Sequence, residues 1–136
     1  MNEIRFSLTT AFFSLLALGL VGVSSCAKDP GTGGLASISG RVYAYDYNTY
    51  NELVDSGYLA DENVYISYGD HTTVDDNVKT NYNGEFKFEW LQKGDYSLWV
   101  YTKCDSCTLG QDYVMQKVTI TKRKENAVLP EFVIKK

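Results

Sequence analysis

The sequence predicts an all-β chain, built as a single antiparallel sandwich of about seven short strands. Three observations predict it. Apolar and polar residues alternate with period two through most of the chain beyond residue 37, most clearly in Phe86-Lys-Phe-Glu-Trp90. Turn signals such as Asn83-Gly84 and Gln92-Lys-Gly-Asp95 interrupt the alternation at short intervals. No stretch carries a helical period long enough to supply crossover helices.

The N-terminal 25 residues stand apart from this pattern. Ala11 to Val23 is an unbroken run rich in Leu, Phe and Val, preceded by a short segment with one Arg and one Glu. That run has the length of a signal-peptide core and falls short of the roughly 20 residues that span a bilayer. It ends in Val23-Ser-Ser-Cys26, which resembles the lipobox of bacterial lipoproteins. The resemblance implies cleavage before Cys26 and lipidation of the Cys26 sulfur, with the membrane as a partner through that anchor. Ala27 and Lys28 follow with no Asp in second place, which in such lipoproteins implies delivery to the outer membrane, facing the periplasm or the cell surface. A domain plan follows: a signal peptide over 1–25, a flexible tether over 26–36 that includes the Gly-rich Asp29-Pro-Gly-Thr-Gly-Gly34, and a sandwich domain over 37–136.

Along the domain, Ile38, Gly40, Val42 and Ala44 share one face of a first strand from Ser37 to Tyr45. Thr49-Tyr-Asn-Glu52 fits a capping box and Gly57 a stop, so the segment near 50–56 reads as a short helix or an ordered loop. Val64, Ile66 and Tyr68 mark the second strand, and a weaker one lies near 77–82. Asn83-Gly84 reads as a hairpin turn. Phe86, Phe88 and Trp90 then point inward on the next strand. Tyr96, Leu98 and Val100 face in on the strand after the second turn, and Val118 and Ile120 on the one after that. A single strand from Val128 to Ile134 closes the chain.

Four stretches together carry a family likeness: Ile38-Ser-Gly-Arg-Val42, Ala60-Asp-Glu-Asn-Val-Tyr-Ile66, Thr80-Asn-Tyr-Asn-Gly-Glu-Phe86 and Leu91-Gln-Lys-Gly-Asp-Tyr96. They resemble the carboxypeptidase-regulatory-like domains, which implies a transthyretin-like (prealbumin-like) sandwich. Fold alone implies no activity. The C-terminal and His/Arg signature of the hydrolases of that fold does not match here, nor does the Lys/Asn pattern of isopeptide-forming domains.

Composition narrows the function classes. There are 13 Lys plus Arg against 17 Asp plus Glu, a net charge of −4, so a sequence-independent nucleic-acid binder is not expected. The lone histidine, His71, leaves little for metal or triad chemistry. It sits in an acidic loop, Asp70 to Asp76, with no nucleophile tied to it by motif. Neither a catalytic residue nor a metal or cofactor is expected. Cys104 and Cys107 read as a disulfide, the even pair left once Cys26 is lipidated. Tyr43, Tyr45, Tyr65, Trp99 and Tyr101 fall opposite the core residues of their strands and form the candidate binding surface. The expected function is a non-enzymatic, membrane-anchored module that binds or assembles an unidentified protein or glycan. The alternative is carbohydrate capture in a polysaccharide-uptake system, and an enzyme ranks third.

Overall fold

The structure, a computed structural model, describes residues 29–136. The expected lipidation site Cys26, the expected signal peptide over 1–25 and the first part of the expected tether lie outside the described residues. Among the described residues nine strands form: β1 (Thr32–Tyr47), β2 (Leu53–Tyr58), β3 (Asn63–Tyr68), β4 (Asp76–Lys79), β5 (Glu85–Leu91), β6 (Gly94–Lys103), β7 (Gln111–Ile120), β8 (Asn126–Val128) and β9 (Phe132–Lys135). The all-β class holds, with nine strands in place of seven.

β1 is the spine of a five-stranded sheet. Ser39 pairs with Lys87 of β5 on one edge and Val128 of β8 on the other, and Tyr43 likewise pairs with Tyr58 of β2 and Val133 of β9. The second sheet has four strands in the order β4-β3-β6-β7, all antiparallel. The expectation of a purely antiparallel fold is corrected by β8 and β9, which run parallel to β1. They also replace the single closing strand: Pro130 has no N–H to donate, and the chain breaks around it.

Between the sheets lies one core. Ile38, Val42, Phe86, Phe88, Phe132 and Ile134 come from the first sheet, and Val64, Ile66, Tyr96, Leu98, Val100 and Ile120 from the second. Alternation along each strand produces this division, because period two sends every other side chain to the same face. Gly40 belongs to the inner row because the Phe86 ring lies across it. A Cβ there would sit 2.7 Å from Phe86 Cζ.

Four further expectations need correction. The segment near 50–56 is strand β2, and no helix forms. Asn48 supplies the turn: its side-chain oxygen accepts the N–H of Tyr50 at 2.9 Å and of Glu52 at 3.0 Å. The apparent capping box was this side-chain-capped turn displaced by one residue, and Leu53, Val54 and Tyr58 then continue as a strand paired with β1. Residues 32–36, expected in the tether, belong to β1, which begins at Thr32. Asn83-Gly84 is a turn, with Gly84 at φ +71°, but it joins strands of different sheets and makes no hairpin.

Trp90 is the fourth case. Between the pairs Ile38–Phe88 and Ala36–Leu91, β5 spends one more residue than β1. This bulge, with Trp90 at φ +60°, reverses the alternation. Trp90 swings out to 64% exposure and Leu91 takes the core position.

Tyr96 ties the start of β1 to the rest. Its ring is 1% exposed and its hydroxyl accepts the Gly31 N–H at 3.0 Å and donates to the Gln92 carbonyl at 2.8 Å. Burial holds this phenol above the ordinary tyrosine pKa, against the opposing effect of those backbone partners.

Candidate functional site

The outer face of the second sheet carries the candidate site. Alternation on β6 and β7 points Ser97, Trp99 and Tyr101 outward beside Lys117, Met115 and Tyr113. The register sets them in rungs: Ser97 opposite Lys117, Trp99 opposite Met115, Tyr101 opposite Tyr113. β3 adds Tyr65 next to Trp99 and Ser67 next to Ser97. With the loop after β3 as one wall, Ser67 and the outward residues of β6 and β7 line an open cleft of about 480 Å³, and Tyr65 packs beside it.

Trp99 forms the floor. It is 8% exposed, with Tyr65 stacked on it at a ring separation of 5.9 Å and an interplanar angle of 20°. Tyr101 meets Tyr65 edge-on at 5.4 Å. The accessible aromatic surface therefore belongs to Tyr101 and Tyr113, at 42% and 53% exposure, rather than to Trp99. Tyr113, Met115 and Lys117 were missed in the sequence. Their signal was present, because Val118 and Ile120 facing inward puts the odd-numbered residues of that strand outward.

The wall is the Gly69–Asp75 loop, which is pinned by its own polar groups. Gly69 N–H donates to the Asp95 carbonyl at 2.8 Å and Asp75 N–H to the Ile66 carbonyl at 3.0 Å. The Asp75 carboxylate accepts the Tyr68 N–H at 2.7 Å and bonds His71 Nδ1 at 2.9 Å. The Tyr68 N–H, then His71, hold this carboxyl below the usual aspartate pKa. The result places His71 and Asp70 at the cleft edge with Thr72. His71 bonds Asp75 and makes no hydrogen bond to Ser67 or Ser97.

The five aromatic residues expected to form one surface are divided. Trp99 and Tyr101 line the cleft, and Tyr65 packs against both on the same face. Tyr43 and Tyr45 lie on the opposite face of the sandwich, where Tyr43 meets Tyr45 and Tyr58 edge-on, each at 5.3 Å. Arg41 lies 5.2 Å over the Tyr58 ring and bonds Glu85 at 2.6 Å.

Cys104 and Cys107 are joined as a disulfide in the loop between β6 and β7, with Cα atoms 5.4 Å apart. The loop closes through Cys104 N–H to the Gly110 carbonyl and Gly110 N–H to the Cys107 carbonyl, both 3.0 Å. It lies two rungs beyond Tyr101 and Tyr113. Asp112 is the one carboxylate near both sulfurs among the described residues. The disulfide removes the thiolates that a metal would need.

No known protein-family profile matches the chain, and no curated protein matches it. Among solved structures it is similar to a candidate carbohydrate binding protein from Pseudomonas aeruginosa, at 14% identity over 74% of this chain and 90% of that one, with a TM-score of 0.47. What defines the class of this chain is its own geometry: an all-β, two-sheet domain with an aromatic-floored cleft on one outer face.

Proposed function

We propose that this chain is a non-enzymatic carbohydrate-binding module, held at the outer membrane by a lipid on Cys26 and related to the transthyretin-like, carboxypeptidase-regulatory-like sandwiches. One observation carries the binding reading. The exposed Tyr101–Tyr113 pair flanks a Trp99 floor inside an open cleft edged by Ser67, Ser97, Thr72 and His71. A sugar ring has an apolar C–H face and a polar rim of hydroxyls. Aromatic rings accept the first, and serine, threonine and histidine side chains exchange hydrogen bonds with the second.

The cleft is shallow and open, which suits one side of a chain-like ligand better than a small molecule needing enclosure. Its rigid strands hold the aromatic rows at fixed spacing, so little ordering entropy is lost on binding. A glycan array probed with the full chain tests this, followed by calorimetry on the best ligand. Binding is expected, and is expected to vanish in the Tyr101→Ala, Tyr113→Ala double variant while Tyr43→Ala binds normally. Absence of any glycan ligand, or full binding by the double variant, overturns the proposal.

A second reading, a protein partner, draws on the Tyr43–Tyr45–Tyr58 cluster on the far face. Loss of a co-purifying envelope protein in Tyr43→Ala, with glycan binding intact, would favour it.

A further inference from the structure

Resting on the carbohydrate reading of the cleft, we propose that its ligand is an acidic glycan, a chain of uronic acid or comparably anionic sugars. The argument comes from where the lysines stand. On β6 and β7 the outward rungs run Ser97–Lys117, Trp99–Met115, Tyr101–Tyr113 and Lys103–Gln111. Lys117 lines the cleft at one end of this aromatic middle, and Lys103, on the rung past Tyr101, lines the adjoining recess at the other end. Six residues separate the two end rungs, which at strand rise is about 20 Å, a span for several sugar rings.

Both ammonium groups are available. Lys117 has no carboxylate within ion-pair distance among the described residues. Lys103 lies 3.7 Å from Asp105, with both side chains well exposed, a pairing that an incoming carboxylate readily displaces. Beyond Lys103 the track continues. Tyr101 also lines a neighbouring recess with Lys103, Lys135 and Lys136. Lys135 there lies 5.4 Å over the Tyr47 ring, and Lys136 pairs with Glu62.

Acidic groups bear on the same face and weaken its positive field: Asp95 on the rung beyond Ser97–Lys117, Asp70 at the cleft edge, Asp105 beside Lys103, Glu62 beside Lys136. Even so, lysines at both ends of an aromatic strip are notable in a chain of net charge −4. A neutral sugar gives them no counter-charge, whereas carboxylates spaced along a glycan meet both. Aromatic rings flanked by lysines also suit single-stranded nucleic acid, and the net charge of −4 opposes either anionic chain, so an oligonucleotide is one arm of the test.

The test compares the full chain's affinity for three fluorescent probes: a uronic-acid oligosaccharide, the neutral oligosaccharide of equal length and linkage, and a single-stranded oligonucleotide. The uronic-acid probe is expected to bind roughly three- to tenfold more tightly than the neutral one at low salt, from two exposed charge contacts. That advantage, read as the ratio of acidic to neutral affinity within each protein, is expected to disappear near 1 M salt and in the Lys103→Ser, Lys117→Ser double variant. Equal binding of acidic and neutral sugars overturns the acidic assignment and leaves the carbohydrate reading standing. An advantage that survives the double variant also overturns it. Binding of the oligonucleotide alone, or of no probe, overturns both.

Discussion

Replacing Tyr96 by Phe removes one oxygen atom and leaves the ring, so it isolates the hydroxyl that anchors the first residues of the domain. That oxygen receives the Gly31 N–H at 3.0 Å and gives its proton to the Gln92 carbonyl at 2.8 Å. Both partners sit beside a side chain that is 1% exposed, so water replaces the lost bonds poorly. An N–H and a C=O left short in such a place cost about 1–3 kcal/mol together. For a folded unit of about 108 residues, Asp29 to Lys136, a central loss of about 2 kcal/mol lowers Tm by about 8–10 °C. Urea and thermal unfolding of the two proteins measure this directly. The pH dependence supplies a second reading. The folded Tyr96 resists ionisation above 10, the ordinary tyrosine value, while the unfolded chain ionises freely there. Its contribution to stability is therefore complete below about pH 10 and falls as pH rises beyond it. Tyr68, raised chiefly by burial and then by Asp76 and Asp75, acts in the same direction. The Tyr96→Phe protein is expected to lose less stability above pH 10 than the wild type. A stability change under about 0.5 kcal/mol, or identical alkaline profiles, would refute the role given to this hydroxyl.

Other expected outcomes test the site and its supports. Trp99→Ala removes a large, nearly buried ring and is expected to cost about 3 kcal/mol in urea unfolding, whereas Tyr113→Ala is expected to change stability by less than about 0.5 kcal/mol. Asp75 is held below the ordinary aspartate value of 3.8, so its contribution to stability is complete above that value and is lost as pH falls through the lower folded one. The Tyr68 amide signal in NMR is expected to shift in that window, and to be insensitive to it in Asp75→Asn. The Cys104→Ser, Cys107→Ser variant is expected to lose about 2 kcal/mol or less, because the disulfide closes a very short loop. Intact-mass analysis is expected to show the wild type two hydrogens lighter than its reduced form.

Much of the sandwich could be read from period two alone. Ile38, Val42, Ala44, Val64, Ile66, Phe86, Phe88, Leu98 and Val100 were all assigned inward, and all are buried. Alternation fails where a single residue is added, as at Trp90, because a bulge leaves no local signature in side-chain type and reverses everything after it. It is also silent on partners. The Asn83-Gly84 turn was legible as a turn, but whether the next strand pairs with the last or crosses to the other sheet depends on the whole topology. The 50–56 segment misled for a related reason: a side-chain-capped turn and a helix N-terminus use the same residue types. For the site, outward position was legible residue by residue. That Tyr43 and Trp99 face opposite directions was not, since it follows from which sheet each strand joins.

One consequence of β1 concerns time. Its partners include β9, so the edge of β1 at Val42 and Ala44 is closed only when Phe132 and Ile134 arrive some ninety residues later in the sequence. During synthesis the early strand waits with an apolar face and an open edge, and the sandwich cannot close from one end as the ribosome works. Contacts of such long sequence separation slow folding and prolong exposure of sticky intermediates. This chain is thus expected to depend on chaperones while nascent, and to be intolerant of even a short C-terminal truncation. A ribosome-stalled form ending before Phe132 should remain protease-sensitive, and release of the full chain should bring protection in one step.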